Sequence, residues 1–179
     1  MTDAATLDLD NALWRFVLPF YGSAGVSPAC IVLQDQIGVD VNLLLVAAFA
    51  AAERGIVLDR EDLAAADALV RGWRIEVVEP LRRVRNRMKA GPSPAPSPAT
   101  EPLRHKIKAA EIDGEQIALA ALFAWLERRP SRATQEKNAA EAVARHFHPD
   151  GAFAPDVAAA LQTLSLAIDK ASKAKAQSS

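Results

Sequence analysis

The chain has one cysteine, Cys30, so no disulfide can form within it. A lone thiol fits a reducing compartment. Aromatic residues make up only 6% of the 179 positions and glycines number 8, so Ala and Leu supply most of the apolar content. Strands draw on β-branched and aromatic side chains, and this mix favours helix instead. Long apolar runs are also missing. The longest uncharged stretch, from Val41 to Ala52, is interrupted by Asn42 and bounded by Asp40 and Glu53, whereas a bilayer needs roughly 20 residues. The first ten residues, MTDAATLDLD, are acidic and lack the basic start and apolar run of a signal peptide. These absences predict a cytoplasmic protein with no membrane segment.

Chemical signatures are equally sparse. There is no glycine-rich phosphate loop, nucleophile elbow or zinc pattern. Helical di-metal sites use Glu-x-x-His pairs, and no Glu here is followed by His at that spacing. Cys30 lies among Ala29, Ile31 and Val32, which suits packing better than nucleophilic chemistry. The run His146-Phe147-His148-Pro149-Asp150 resembles a metallo-hydrolase motif, but only His105 remains as a further ligand. His-Pro-Asp between helices also marks J-domain co-chaperones, yet the helix before it is Ala-rich and lacks their basic face. It reads as an interhelical turn. No cofactor, metal or catalytic residue is expected.

What the chain does contain is helix punctuation. Asp8 or Asp10 can cap a first helix that Pro19 bends or ends. Ser27-Pro28 opens a second, closed near Ile37 by Gly38. Asp40 caps a third, Val41 to about Arg54, stopped by Gly55. Asp59 begins a fourth that ends near Gly72. Trp73, Val77, Leu81, Val84 and Met88 recur at helical spacing, with Pro80 predicting a kink or a new start. Gly91 to Pro102 is a Pro/Ser/Ala linker expected to be disordered or weakly ordered. Beyond it Leu103, Ile107, Ala110, Gly114, Ile117, Ala121 and Trp125 mark a long helix that Pro130 ends. Ser131 or Thr134 then caps another, and Pro155 starts the last. The prediction is an all-α single domain of about six to seven helices over residues 8–171, interrupted by a linker at 90–102, with a disordered tail at 172–179.

The net charge of -1 hides an uneven distribution. Residues 1–81 carry 5 bases and 12 acids, whereas residues 82–108 carry 8 bases and 1 acid, a local surplus of +7. That stretch raises nucleic acid as a partner. Single-strand binding would also want interleaved aromatics, and the stretch has none, which argues against it.

Candidate site residues come from polar groups in apolar surroundings. The segment LQDQIGVDVNLLL places Gln34, Asp35, Asp40 and Asn42 inside one of the most apolar parts of the chain. Asp40 is explained as a cap, with Asn42 supporting the same turn. Gln34 and Asp35 lie in a last helical turn, where an acid opposes the helix dipole, so Arg82 and Arg85 are expected as partners. Glu111 and Glu115 share one helix face and want cations opposite, which the basic Arg82–Lys89 stretch can supply across the hairpin that the linker closes. These eight residues form either a salt-bridge network that fixes helix register or a polar pocket that holds a ligand.

The motifs W-R-F…Y at Trp14–Tyr21, L-Q-D…G-V-D-V-N-L-L-L at Leu33–Leu45, W-R…V-V-E-P-L-R at Trp73–Arg82 and K-A-A-E…E at Lys108–Glu115 resemble an uncharacterised bacterial family. It is known only as a domain of unknown function. The resemblance covers roughly residues 10–125 and implies a small, cytoplasmic, mainly helical protein without implying an activity. The leading functional expectation is a non-enzymatic helical interaction or regulatory protein with a protein partner. The alternative is a small-molecule binder or enzyme using the eight residues above. Nucleic-acid binding through residues 82–108 is the weaker third.

Overall fold

A computed structural model describes residues 6–129, 138–150 and 152–178. The fold is all-α, with seven helices and no strand among the described residues. They are α1 (Ala12–Tyr21), α2 (Val26–Ile37), α3 (Val41–Arg54), α4 (residues 60–87), α5 (Glu101–Arg128), α6 (Ala139–Phe147) and α7 (Pro155–Ser178). Helix α4 is continuous but not uniform. Two α-helical stretches, Arg60–Trp73 and Glu79–Arg87, flank a π-helical segment, Arg74–Val78. No single described helix is long and apolar enough to cross a membrane.

The centre of the fold is α3. Nine of its side chains are buried, from Leu43 through Phe49 to Ala52. A helix that is apolar all round must be surrounded, and α3 touches α1, α4, α5, α6 and α7. Phe49 meets Phe16 of α1 and Phe123 of α5 edge-on, with ring centroids 5.5 and 6.0 Å away. Helix α2 packs chiefly on α7, which closes the outer side of the bundle.

Several helix ends follow the expected punctuation. Gly38 and Gly55 adopt left-handed backbone at φ 70° and 65° and close α2 and α3. Asp59 and Asp62 form a reciprocal capping box at the start of α4. Other ends differ. Asn11, not Asp8 or Asp10, caps α1, accepting from the Trp14 amide at 2.9 Å. Pro19 sits inside α1, which continues to Tyr21. Helix α2 starts at Val26, after Gly25 at φ 83°, so Ser27 and Pro28 lie within its first turn. Those amides need no intrahelical acceptor, and proline costs nothing there. Asn138 caps α6. The expected stop at Pro130 and caps at Ser131 or Thr134 lie outside the described residues. The tail also departs from expectation, since α7 carries helix through residues 172–178. The linker is a series of turns, tied by bonds such as Ala95 N–H to the Pro92 carbonyl at 2.9 Å.

Gly72 does not end a helix; α4 runs through it. A methyl group there would meet nothing within 4 Å, and the backbone needs no positive φ. Gly72→Ala is therefore expected to raise stability by about 0.5–1 kcal/mol, the helix-propensity difference. Chemical denaturation measures it directly.

The π segment answers the question that Pro80 raised. Proline has no amide proton and its ring crowds the carbonyl one turn back. Immediately upstream, the Glu79 amide donates to the Arg74 carbonyl, five residues back. The widened turn accommodates Pro80 without breaking the helix, as π-bulges do. It also rotates the inward face. Val78 is buried where the periodicity favoured Val77, and Val84 is 49% exposed. On α5 the inward face is likewise shifted. Glu111, Gly114, Ala118 and Leu122 are buried, whereas Leu103 is 54% exposed. Close approach at Gly114 sets that register: the Trp73 indole N–H donates to the Gly114 carbonyl at 2.8 Å.

Candidate functional site

Two features of α4 and α5 stand out. The first is a cleft of about 620 Å³ between the α2–α3 turn and the π-containing face of α4. Five of the eight candidate residues line it: Gln34, Asp40, Asn42, Arg82 and Glu115. Arg71, Arg74, Arg83 and Asn86 line it too, and sequence reasoning did not single them out. Their spacing along α4 was visible, but which face turns inward depends on the π segment, and that has no simple sequence signature.

Asp40 has a double role. One carboxylate oxygen caps α3, accepting from the Asn42 amide at 2.7 Å and the Leu43 amide at 3.2 Å. The other accepts from Arg74 Nη1. The same guanidinium nitrogen donates to Asp67 at 2.8 Å, and His146 Nε2 lies 3.7 Å from the far oxygen of Asp67. Asn42 does not support the cap with its side chain; it faces the cleft instead.

Glu111 and Glu115 receive their cations as expected. Glu111 accepts from Arg82 Nε at 3.0 Å and from two nitrogens of Arg85, Nη2 at 3.1 Å and Nε. Arg82 Nη2 reaches Glu115. Burial alone would raise the Glu111 carboxyl, but bonds from Arg85 and Arg82 overcome it and hold the group below its usual range. Glu115 goes the other way. Burial raises it, Arg82 offsets this only in part, and Glu111 and Asp40 add repulsion. Arg85 and Glu111 lie beside the cleft and do not line it.

Asp35 corrects an expectation. It is exposed and reaches neither Arg82 nor Arg85, whose bonds go to Glu111 and Glu115. Water solvates it, so the apparent conflict with the α2 dipole needs no partner. The eight residues thus separate into a cleft wall, an ion-pair network beside it and one solvated carboxylate.

The second feature is the hairpin formed by the end of α4, the linker and the start of α5, residues 79–113. Gly91 and Glu111 are its only buried residues, and none of its side chains joins the hydrophobic core. Its α4 portion leans mainly on α5 and the π segment. Of its eight bases, Arg82, Arg85 and Arg104 are paired with Glu111, Glu115 and Glu101. Arg83, Arg87, Lys89, Lys106 and Lys108 have no ion-pair partner among the described residues.

Elsewhere the chemistry is quiet. Burial pushes the Cys30 thiol up to about 12, so it stays protonated and acts as packing. No cluster of three or more His, Cys, Asp or Glu among the described residues could hold a metal ion. A second groove, about 710 Å³ and mostly apolar, runs between α1 and α7 past Phe16, Phe20 and Leu166.

The family model for Protein of unknown function (DUF2390) matches residues 12–122, from the start of α1 into α5. Both the cleft and the hairpin fall within that span. No curated protein and no solved structure matches.

Proposed function

The chain belongs to the DUF2390 family, whose function is unknown, and from its own surfaces we propose that it is a non-catalytic interaction protein that docks an acidic segment of a partner protein on the hairpin arm, residues 79–113. One observation carries this reading. The arm contributes nothing to the hydrophobic core, yet Arg87, Lys89, Lys106 and Lys108, with no ion-pair partner among the described residues, lie on the same helical stretches as the exposed side chains of Val84, Leu103 and Ile112. A basic rim around apolar side chains is the composition of a protein-docking surface.

The surface favours protein over single-stranded nucleic acid. Phosphate contacts would use the same cations, but single strands also stack on aromatic rings, and residues 79–113 contain no Phe, Tyr or Trp. Exposed Leu and Val have no role on a phosphate backbone.

The test is fluorescence anisotropy with a labelled peptide in which Glu/Asp alternate with Leu, against labelled single-stranded and duplex DNA. The peptide is expected to bind in low salt and to weaken at least tenfold when Arg87, Lys89, Lys106 and Lys108 are all changed to Glu. Leu103→Ser with Val84→Ser should weaken it further. Tighter binding of DNA than of the peptide, or unchanged peptide affinity in the charge-reversed protein, would overturn the reading.

A further inference from the structure

The cleft has unused binding capacity that the arm does not explain. Every carboxylate on its walls already has a cation: Asp40 and Glu79 face Arg74, and Glu115 faces Arg82. The donors are in surplus. Arg71 and Arg83 are exposed on its rim with no ion-pair partner among the described residues. The side-chain amides of Gln34, Asn42 and Asn86 also line it, without a hydrogen-bond partner among the described residues.

We propose that this cleft is a binding site for a small, extended organic polyanion of nucleotide size, its chain of negative groups reaching from Arg71 to Arg83 and its body against the apolar side chains of the cleft. The volume of about 620 Å³ falls within the range of roughly 300–1,000 Å³ typical of small-molecule sites. The two arginines are twelve residues apart on α4, about 18 Å along the axis at the usual helical rise. Both side chains are long and exposed, so a chain of phosphates can reach from one guanidinium to the other where a single phosphate cannot. Between them the lining is mixed: Val41, Ile75 and Val78 offer apolar contact for a flat or aliphatic body, beside the already paired Arg74, Glu79 and Arg82. Guanidinium is the side chain that best matches phosphate and carboxylate geometry.

The walls are also preorganised. Arg74 is held by Asp40 and Asp67, and Arg82 by Glu111 and Glu115, so neither must be ordered on binding. These ion pairs reserve Arg74 and Arg82 for structure and leave Arg71 and Arg83 for the ligand. The cleft shares Glu79, Arg82, Arg83 and Asn86 with the start of the arm; Arg71 belongs to the cleft alone, and Arg87, Lys89, Lys106 and Lys108 to the arm alone, so substitutions at those positions tell the two readings apart.

Isothermal titration calorimetry of the full chain tests it, with tripolyphosphate and metal-free ATP as probes and adenosine as the neutral control. ATP and tripolyphosphate are expected to bind with a stoichiometry of one, ATP more tightly, and adenosine to give no heat. Arg71→Ala with Arg83→Ala should weaken both probes at least tenfold. Both residues are exposed, so the variant should fold, which circular dichroism checks; Arg71→Lys with Arg83→Lys serves as a milder second variant retaining part of the affinity. Arg87→Ala with Lys89→Ala, on the arm and outside the cleft lining, should leave the affinity for ATP and tripolyphosphate at the level of the unaltered chain. Absence of binding by both charged probes at millimolar concentration would overturn the site. So would full affinity in the Arg71/Arg83 variants, or a loss that follows the arm substitutions instead.

Discussion

Glu111→Ala is expected to loosen the arm while sparing the bundle. The side chain is 7% exposed and takes two bonds from Arg85 and one from Arg82. Its removal strands the Arg85 guanidinium in a half-buried place and takes one of the two partners of Arg82. Breaking a buried ion pair by deleting one partner costs about 3–5 kcal/mol. The lower end applies because Arg82 retains Glu115. Hydrogen exchange reads this as a loss of protection of about a hundredfold in residues 79–113, at roughly 1.4 kcal/mol per factor of ten. Amides of α3 should change far less, because the arm shares no core side chain with it.

The pH dependence follows from the same two carboxylates. The folded Glu111 carboxyl lies below its unfolded value. Its stabilisation is therefore complete above the unfolded range, near 4.3, and is lost as pH falls through the folded value. Glu115 is raised on folding. Its charged form costs stability above its folded value, and that cost disappears as pH falls towards the unfolded one. Arm protection should thus rise slightly in mild acid and fall in stronger acid. Glu115→Gln should abolish the rise and keep the fall.

Asp40→Ala is expected to act on the whole bundle, since it removes the cap of the central helix. Losing an N-cap carboxylate costs about 1 kcal/mol, and losing a charge-assisted bond to Arg74 about 2 more. Arg74 is not stranded, because Asp67 still accepts from it at 2.8 Å. The expected total of about 3 kcal/mol appears as a shift of the urea midpoint with an unchanged slope. Asp40→Asn keeps an oxygen for the cap and loses only the charge, so it should cost about half as much. A cost for Asn equal to that for Ala would place the effect in the ion pair and not in the cap.

Much of this architecture was legible in the sequence, because glycine, aspartate and proline act locally. Gly38, Asp40, Gly55, Asp59 and Pro155 mark helix ends where the chain puts them. That Glu111 and Glu115 draw cations from the Arg82–Lys89 stretch was legible too, since it follows from two helices meeting across the linker; that Arg82 and Arg85 serve them and not Asp35 was not. What was not legible depends on rotation about a helix axis. The π turn before Pro80 shifts the inward face by one residue, from Val77 to Val78, and lets Arg71 and Arg74 on one side of it and Arg83 on the other line one cleft with Asn42. Periodicity assumes a uniform turn and cannot see that. Asp35 shows the same limit: one residue from Gln34, it lies about 100° further round α2 and so faces water.

The most direct measurement is hydrogen exchange of the intact chain with and without the acidic Leu-containing peptide. Docking on the arm predicts slowing confined to the exposed faces of residues 83–89 and 103–112. Slowing along α1 and α7, or no change anywhere at saturating peptide, would contradict it.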